Sequence, residues 1–464
     1  MKRVLQFALA AMILFAACSK EDLTPPPLIE EQDVQEATTV VENAADDGYI
    51  TLEEARKDLE SILADFTTLS KSGNGGFPAR KIADGFTLKS TRPSLSKSTG
   101  VADTAKIHVF NFEDNSGFAI MSATTEMPSL LAITEGGNID TNEVIDNSGL
   151  IMFLSGLEHK IMYGKPMLPS YSNVDPDTHF AKDSNGNTVV VDENKTLIRE
   201  TGKLYNPVGG FCKVHWSQVH PYNVHCPKDT KGNSTKTGCV ATACAQLMSI
   251  YKYPSSFNGY SFHWSDMISG KNTNDIARLM EQIGSEENTH MRYGVNESLA
   301  RADSIPFTFE NFGYSCGGTV KGYNKNEVVE ELKNGFSVLI GGCCFRTEVK
   351  TMFGLKTSYL YSGGHLWLAH GLYTREQVWK TTRDVKYVGS TTKPEMDFHQ
   401  EGTSVQTNDY ILCNFGEGPS RYDGYYYGDV FDAASGPNFK ETISKSGRAN
   451  YFQYELITVI GIRK

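Results

Sequence analysis

Among nine cysteines and eleven histidines, few stand where chemistry would need them. Cys239 lies in KTGCVATACAQLMSIYKYP, residues 236–254. The spacing predicts a helix with Thr237 as N-cap, Val240, Ala243, Leu247 and Ile250 recurring at helical intervals, and Pro254 closing it. Cys239 then falls in the first turn. Unpaired amides and the positive end of the macrodipole favour an anion there, which draws a thiol toward its nucleophilic thiolate. Cys244, one turn further on, is read as packing. A thiol nucleophile needs a base, and His365 is the best placed: it follows Ser362-Gly363-Gly364 and opens the strand-like LWLA. Two glycines leave room for a partner helix to approach. His370, five residues later, would point to the opposite face of that strand. Asn414, at the end of another apolar run, could accept a hydrogen bond from the imidazole and fix its tautomer. Together these residues would perform acyl transfer through a covalent thioester.

Two other constellations compete. Gly313-Tyr314-Ser315-Cys316-Gly317 matches the Gly-x-Ser-x-Gly nucleophile elbow, but an elbow needs a helix directly after the serine, and Gly318, Gly322 and Tyr323 intervene. Cys212, His215, His220, His225 and Cys226 form a cluster that suggests zinc, yet their spacing is not that of a common finger and a loop with scattered histidines is the simpler reading.

The elements that must position these residues follow from the chain as a whole. Its 464 residues allow two or three domains, with two the first expectation. A formal net charge of −11 argues against a nucleic-acid partner, because phosphate binding needs a concentrated Lys/Arg surface. Lys2 and Arg3 precede an apolar run from Val4 to Phe15 and the small residues before Cys18, a pattern that resembles a bacterial lipoprotein signal with Cys18 lipidated. The expected location is therefore outside the cytoplasm, lipid-anchored to a bacterial membrane, with the outer membrane and cell surface as candidates and release of the mature domain allowed. Setting aside Cys18 and Cys239 leaves an odd number of cysteines, so at least one thiol stays free; Cys212 with Cys226 is the first pairing to test.

Along the chain, an acidic, Pro-containing tether spans residues 18–47 after a signal at 1–17. Thr51 and Glu54 then make a capping box, with Leu52, Ala55, Leu59, Ile62, Leu63 and Phe66 on one helical face. Residues 70–103 read as loop or exposed hairpin. Short strands follow around Ile107–Val109, Phe118–Ile120 and Leu131–Ile133, and a second helix starts near Ser148, so residues 48–165 form a small α+β domain. Residues 166–210, rich in Pro, Asn, Asp and Gly, read as a linker and the place of a processing cut. The domain at 211–464 begins with helices, including Asp275–Ile283 and Asn324–Lys333, and ends in strands near Phe336–Ile340, His365–Ala369, Tyr410–Cys413, Gly424–Tyr427 and Tyr454–Ile460.

With these motifs in hand the chain resembles the streptopain-like cysteine proteases, a papain-like group made as zymogens. HWSQVHPYN (215–223) resembles the family's Trp-x-Gln-x-x-Pro-Tyr-Asn block, TGCVATACAQLM its nucleophile block, SGGHLWLAHG its histidine block and CNFGEGPSRYDGYYY its Asn-Trp-Gly block. HVFNFEDNSGFAIMSATTEMPSLLAITEGG resembles the prodomain. The resemblance implies an α+β, papain-like catalytic domain, its Cys helix packed on an antiparallel sheet, preceded by a small α+β inhibitory prodomain. It implies Cys239 as nucleophile, His365 as general base and acid, Gln218 as oxyanion-hole donor and Asn414 beside the histidine. Expected partners are protein or peptide substrates and the chain's own prodomain, with no nucleic acid and no membrane contact except through a lipidated Cys18. No metal or cofactor is implied. Three positions depart from the pattern: Phe415 replaces Trp, Glu417 replaces an aromatic, and His370 stands where Asp is common. A carboxylate at 417 would raise the histidine's pKa or alter the primed side of the cleft. The alternative reading is a catalytically impaired, papain-fold binding lipoprotein.

Overall fold

The computed structural model describes residues 49–71, 78–90, 106–125, 127–163, 180–182, 188–205, 211–344, 351–352, 355–356, 364–387, 398–418, 422–431 and 454–464. The lipoprotein-like signal, Cys18 and the acidic tether lie outside these residues. No helix among the described residues is long and apolar enough to cross a membrane.

Helix α1 (Leu52–Lys71) starts as the capping box requires. Thr51 N–H donates to Glu54 Oε2 at 2.8 Å, and Glu54 N–H donates back to Thr51 Oγ1 at 3.3 Å. Its stripe of Ala55, Leu59, Ile62, Leu63 and Phe66 is buried. Strands β1 (Ile82–Lys89), β2 (Lys106–Phe112), β3 (Phe118–Ser122) and β4 (Leu130–Thr134) make an antiparallel meander, followed by helix α2 (Ser148–Tyr163). β1 lies inside the stretch read as loop or hairpin. β5 (Phe180–Lys182) and β6 (Thr188–Tyr205) come next.

Helix α3 (Cys239–Tyr251) carries the thiol and is followed by the hairpin β7 (Ser256–Phe257) and β8 (Tyr260–Ser261). Helices α4 (Trp264–Ile268), α5 (Thr273–Gly284) and α6 (Ile305–Asn311), strand β9 (Cys316–Gly322) and helix α7 (Lys325–Lys333) follow. The remainder is β10 (Val338–Cys344), the short pair β11 (Thr351–Met352) and β12 (Leu355–Lys356), then β13 (Gly364–Tyr387), β14 (Phe398–Asn414), β15 (Gly424–Tyr427) and β16 (Tyr454–Arg463). Asn324 caps α7, its Oδ1 accepting from the amides of Asn326 and Glu327.

The two halves of the chain share one sheet. Its order is β1-β2-β3-β4-β15-β14-β13-β10-β16-β9, with β5 and β6 joined to the side of β13. The junction is β4 against β15, where Ala132 pairs with Tyr426 and Ile133 with Tyr425. β6 runs along the outer half of β13, from Tyr205 opposite Leu372 to Val189 opposite Tyr387. Much of the presumed linker is therefore strand. Its run TVVVDENKTLIRETGKLY is rich in Val, Thr and Ile, which suit a pleated surface, but the Asn, Asp and Gly around it mask that signal.

Alternation along the central strands separates two cores. Leu339, Leu366 and Leu368 face one built on α3, α5 and α6. Val338, Ile340, Trp367 and Ala369 face the other, which contains α1, α2 and the β1–β4 meander.

Candidate active site

Cys239 is the first residue of α3, but the residue before it, rather than Thr237, is the N-cap. Gly238 has φ +87°, and a Cβ there would come within 2.9 Å of Met291 and 3.0 Å of Ser298 O. A left-handed, crowded position requires glycine. Thr237 Oγ1 instead meets Thr242 Oγ1 at 3.1 Å. From Val240 to Ile250 every side chain of α3 is buried, so the helix runs through the core and is not a one-sided surface helix.

The pKa of the half-buried Cys239 thiol is raised, contrary to the expectation from its place on the helix. Burial pushes it up to about 11; Glu297 and Glu417 add to the rise, while the Leu366 and Val240 main chain oppose it. A helix dipole supplies about 0.3–1 kcal/mol near its end, too little to offset desolvation together with two carboxylates. The carboxylate at 417 thus acts on the thiol. The shift at His365 has other causes.

Cys239 Sγ donates to Gly364 O at 3.9 Å, so the sulfur faces the main chain on either side of His365. The imidazole itself points elsewhere. His365 has the strand parity of Trp367, stacks on that ring at 6.1 Å between centroids, and is hydrogen-bonded through Nε2 to Phe415 O at 2.9 Å. It is 5 % exposed, and burial drives its pKa down to about 4 against a smaller opposing effect from the Phe415 carbonyl. Among the described residues no hydrogen bond joins Cys239 to His365. Cys239 meets the main chain beside His365 and packs with the α3 core, whereas His365 shares the strand parity of Trp367, which belongs to the other core.

Asn414 is buried, and among the described residues its side chain makes no hydrogen bond to the imidazole. Its Nδ2 donates to Val214 O at 2.8 Å, and its Oδ1 accepts from Gly416 N–H at 3.1 Å. The next residue's carbonyl takes the histidine proton instead, a partner that side-chain identity does not reveal. Gln218 is half-buried, and its carbonyl accepts Thr237 N–H at 3.0 Å, which ties the Gln218 segment to the start of α3. His370 lies at a bulge of β13 and accepts Cys212 N–H on Nδ1 at 3.2 Å. Burial and the charge of His215 lower its pKa to about 3.

Sequence reasoning missed Asp423. It is buried, hydrogen-bonds His215 Nδ1 at 2.7 Å and accepts Phe415 N–H at 2.8 Å, thereby fixing the peptide whose carbonyl holds His365. The hydrogen bond and charge of Asp423 raise His215, and burial raises Asp423 itself. A lone Asp before GYYY offered no signal. Gly149, at the start of α2, was missed as well: a Cβ there would sit 1.9 Å from the Phe415 ring. The glycine lets the helix lie directly on the residue that occupies the expected Trp position.

The competing constellations disperse. Ser315 is followed by β9, not by a helix, and its hydroxyl donates to the carbonyls of Arg463 and Lys464. Cys212 and Cys226 are both free thiols, pushed up to about 12 by burial, so the suggested disulfide is absent. Cys212 Sγ contacts Val214 O, and His225 pairs with Asn274. Among the described residues no three His, Cys, Asp or Glu side chains converge as a metal site would require.

Comparison with known proteins gives consistent matches. Residues 216–426 match the Peptidase C10 family, and residues 77–161 match the Spi protease inhibitor family. Streptopain of Streptococcus pyogenes is 25 % identical over 303 residues, covering 56 % of this chain and 67 % of that protein. The thiol protease/hemagglutinin PrtT of Porphyromonas gingivalis is 28 % identical over 203 residues, covering 41 % of this chain and 21 % of PrtT. A solved fragment of prointerpain A from Prevotella intermedia superposes with a TM-score of 0.44 at 18 % identity, covering 82 % of this chain and 99 % of the fragment.

Proposed function

We propose, from the premise that this chain is a streptopain-like cysteine protease of the peptidase C10 family with an inhibitor-like prodomain, that it is an exported zymogen whose mature form works through a Cys239–His365 dyad. The observation that carries this reading is the main-chain adjacency of Cys239 to the His365 strand, with the imidazole turned away and held by Phe415 O. In the latent form thiol and imidazole are both neutral. Activation turns His365 toward Cys239, and the proton passes from Sγ to the imidazole to give a thiolate–imidazolium pair.

The thiolate then attacks the scissile carbonyl, and the tetrahedral oxyanion is met by Gln218 and the Cys239 amide at the start of α3. His365 protonates the leaving amine; water, deprotonated by His365, releases the acyl group. The activation cut falls in residues 166–210, outside β6, because a strand paired to β13 is not free to enter a cleft. Lipidation of Cys18 would hold the precursor at a bacterial membrane, and the cut would release the mature domain.

Mass spectrometry of the wild-type chain beside Cys239→Ala tests this. The wild type should yield a mature fragment beginning within 166–210, and Cys239→Ala should remain whole and inactive on peptides. Cleavage by Cys239→Ala at the wild-type rate would end the reading.

A further inference from the structure

Gln246 lies two turns after Cys239 on α3 and is wholly buried, on a helix whose other buried side chains are mostly apolar, with Thr242 and Ser249 one turn either side. Its Oε1 accepts Trp216 N–H at 3.1 Å, whereas its Nε2 has no partner among the described residues. A half-paired buried amide lowers stability, and an apolar side chain of equal length would avoid the orphan donor. The residue is therefore explained by what Oε1 holds. Trp216 is two residues before Gln218, and Gln218 O is in turn bound by Thr237 N–H at 3.0 Å, two residues before Cys239. The stretch bearing Gln218 is thus fixed to α3 before Ser217 and to the segment leading into α3 after it. The same amide reaches toward the turn after Asn414: a Cβ built on Gly416 would lie 3.6 Å from Nε2.

We propose that Gln246 is a positioning residue for peptide hydrolysis, acting through the Trp216 main chain to hold the Gln218 side chain at the oxyanion position beside Cys239. The inference rests on the role proposed for Gln218 and does not require Gln246 to touch substrate.

The test compares Gln246→Met, Gln218→Ala and the double variant, each made as the full chain and matured by a trace of wild-type protein. Loss of one oxyanion donor lowers kcat by about 10²–10³, so Gln246→Met should lower kcat by about 10- to 100-fold with KM within about twofold. Alkylation of Cys239 by iodoacetamide needs no oxyanion hole and should keep its wild-type rate, which a merely structural defect would not allow. The double variant should be no slower than Gln218→Ala. Multiplying losses, a parallel fall in alkylation or a wild-type kcat in Gln246→Met would each overturn the proposal. A wild-type kcat in Gln218→Ala would instead remove the oxyanion assignment beneath it. Gln246→Leu carries the same expectations if the methionine variant does not fold.

Discussion

The two sides of the proposed active site, that of Cys239 and that of His365, are built from different cores. Cys239 sits on a helix whose packing partners, among them Met280, Phe309, Leu366 and Val459, all belong to the catalytic half. His365 and Phe415 lie on the other face of the sheet, where Trp367, Phe415 and Tyr426 share a core with Phe66, Leu130 and Phe153 of the prodomain. One side is complete without the prodomain. The other is completed by it, so removal of α1–α2 and the β1–β4 meander changes the surroundings of the base more than those of the thiol. The proposed latency is assigned to the histidine face, where α2 lies against Phe415 and Phe415 O binds the imidazole.

The comparison can be broken first at the base. His365→Ala should lower kcat of the matured enzyme by on the order of 10⁴-fold, since loss of a member of a catalytic triad has effects of that size. Peptide hydrolysis by the matured enzyme reads this loss.

Next in size is the ionic tie between the halves. Arg375 of β13 is 2 % exposed; it donates to Asp58 of α1 at 3.0 Å and to Ser129 at 2.7 Å, and it is paired with Glu200 of β6. Removing one partner of a buried ion cluster costs about 3–5 kcal/mol, so Arg375→Met should lower the melting temperature of the latent chain markedly. The matured enzyme, without Asp58, should lose less. Equal losses in both forms would show that the tie does not span the halves.

A smaller effect is expected at the contact on Phe415. Gly149→Ala introduces a methyl group where a ring already stands, and overpacking of this kind costs about 1–3 kcal/mol. Self-processing of the full chain should accelerate, followed as the rate at which the mature fragment appears. An unchanged rate would detach α2 from latency.

The smallest change is electrostatic. Glu417→Gln removes one of the two carboxylates that raise the Cys239 thiol, so its pKa should fall modestly and alkylation at fixed pH should quicken. The pH at half-maximal alkylation reads this, and a rise would contradict the placement of Glu417.

Much of this organisation was legible in residue order, and the remainder has physical reasons for being hidden. Helices α1, α2, α5 and α7 announced themselves through capping residues and helical spacing, which are local. The continuity of the sheet was not visible, because pairing of Ile133 with Tyr425 or of Val189 with Tyr387 joins residues hundreds of positions apart and leaves no mark on either segment. For the site, the first-turn thiol and the Gly-Gly-His strand stood out by type and spacing. The acceptor of the imidazole proton did not, because a main-chain carbonyl carries no residue signature and Asn414 offered a side chain of the right chemistry nearby in sequence. Gln246 did leave a signal: a polar residue within an apolar helix, seven positions from the nucleophile and so on its face.

The most direct measurement is the rate of Cys239 alkylation by iodoacetamide against pH, read on the Cys239 peptide by mass spectrometry, before and after maturation. In the latent chain the rate should climb about tenfold per pH unit toward a half-maximum near 11, because reaction follows the thiolate and burial keeps the thiol protonated. After maturation a plateau should appear at neutral pH, where a thiolate–imidazolium pair exists. A latent chain that already shows that plateau would contradict the separation of the two sides.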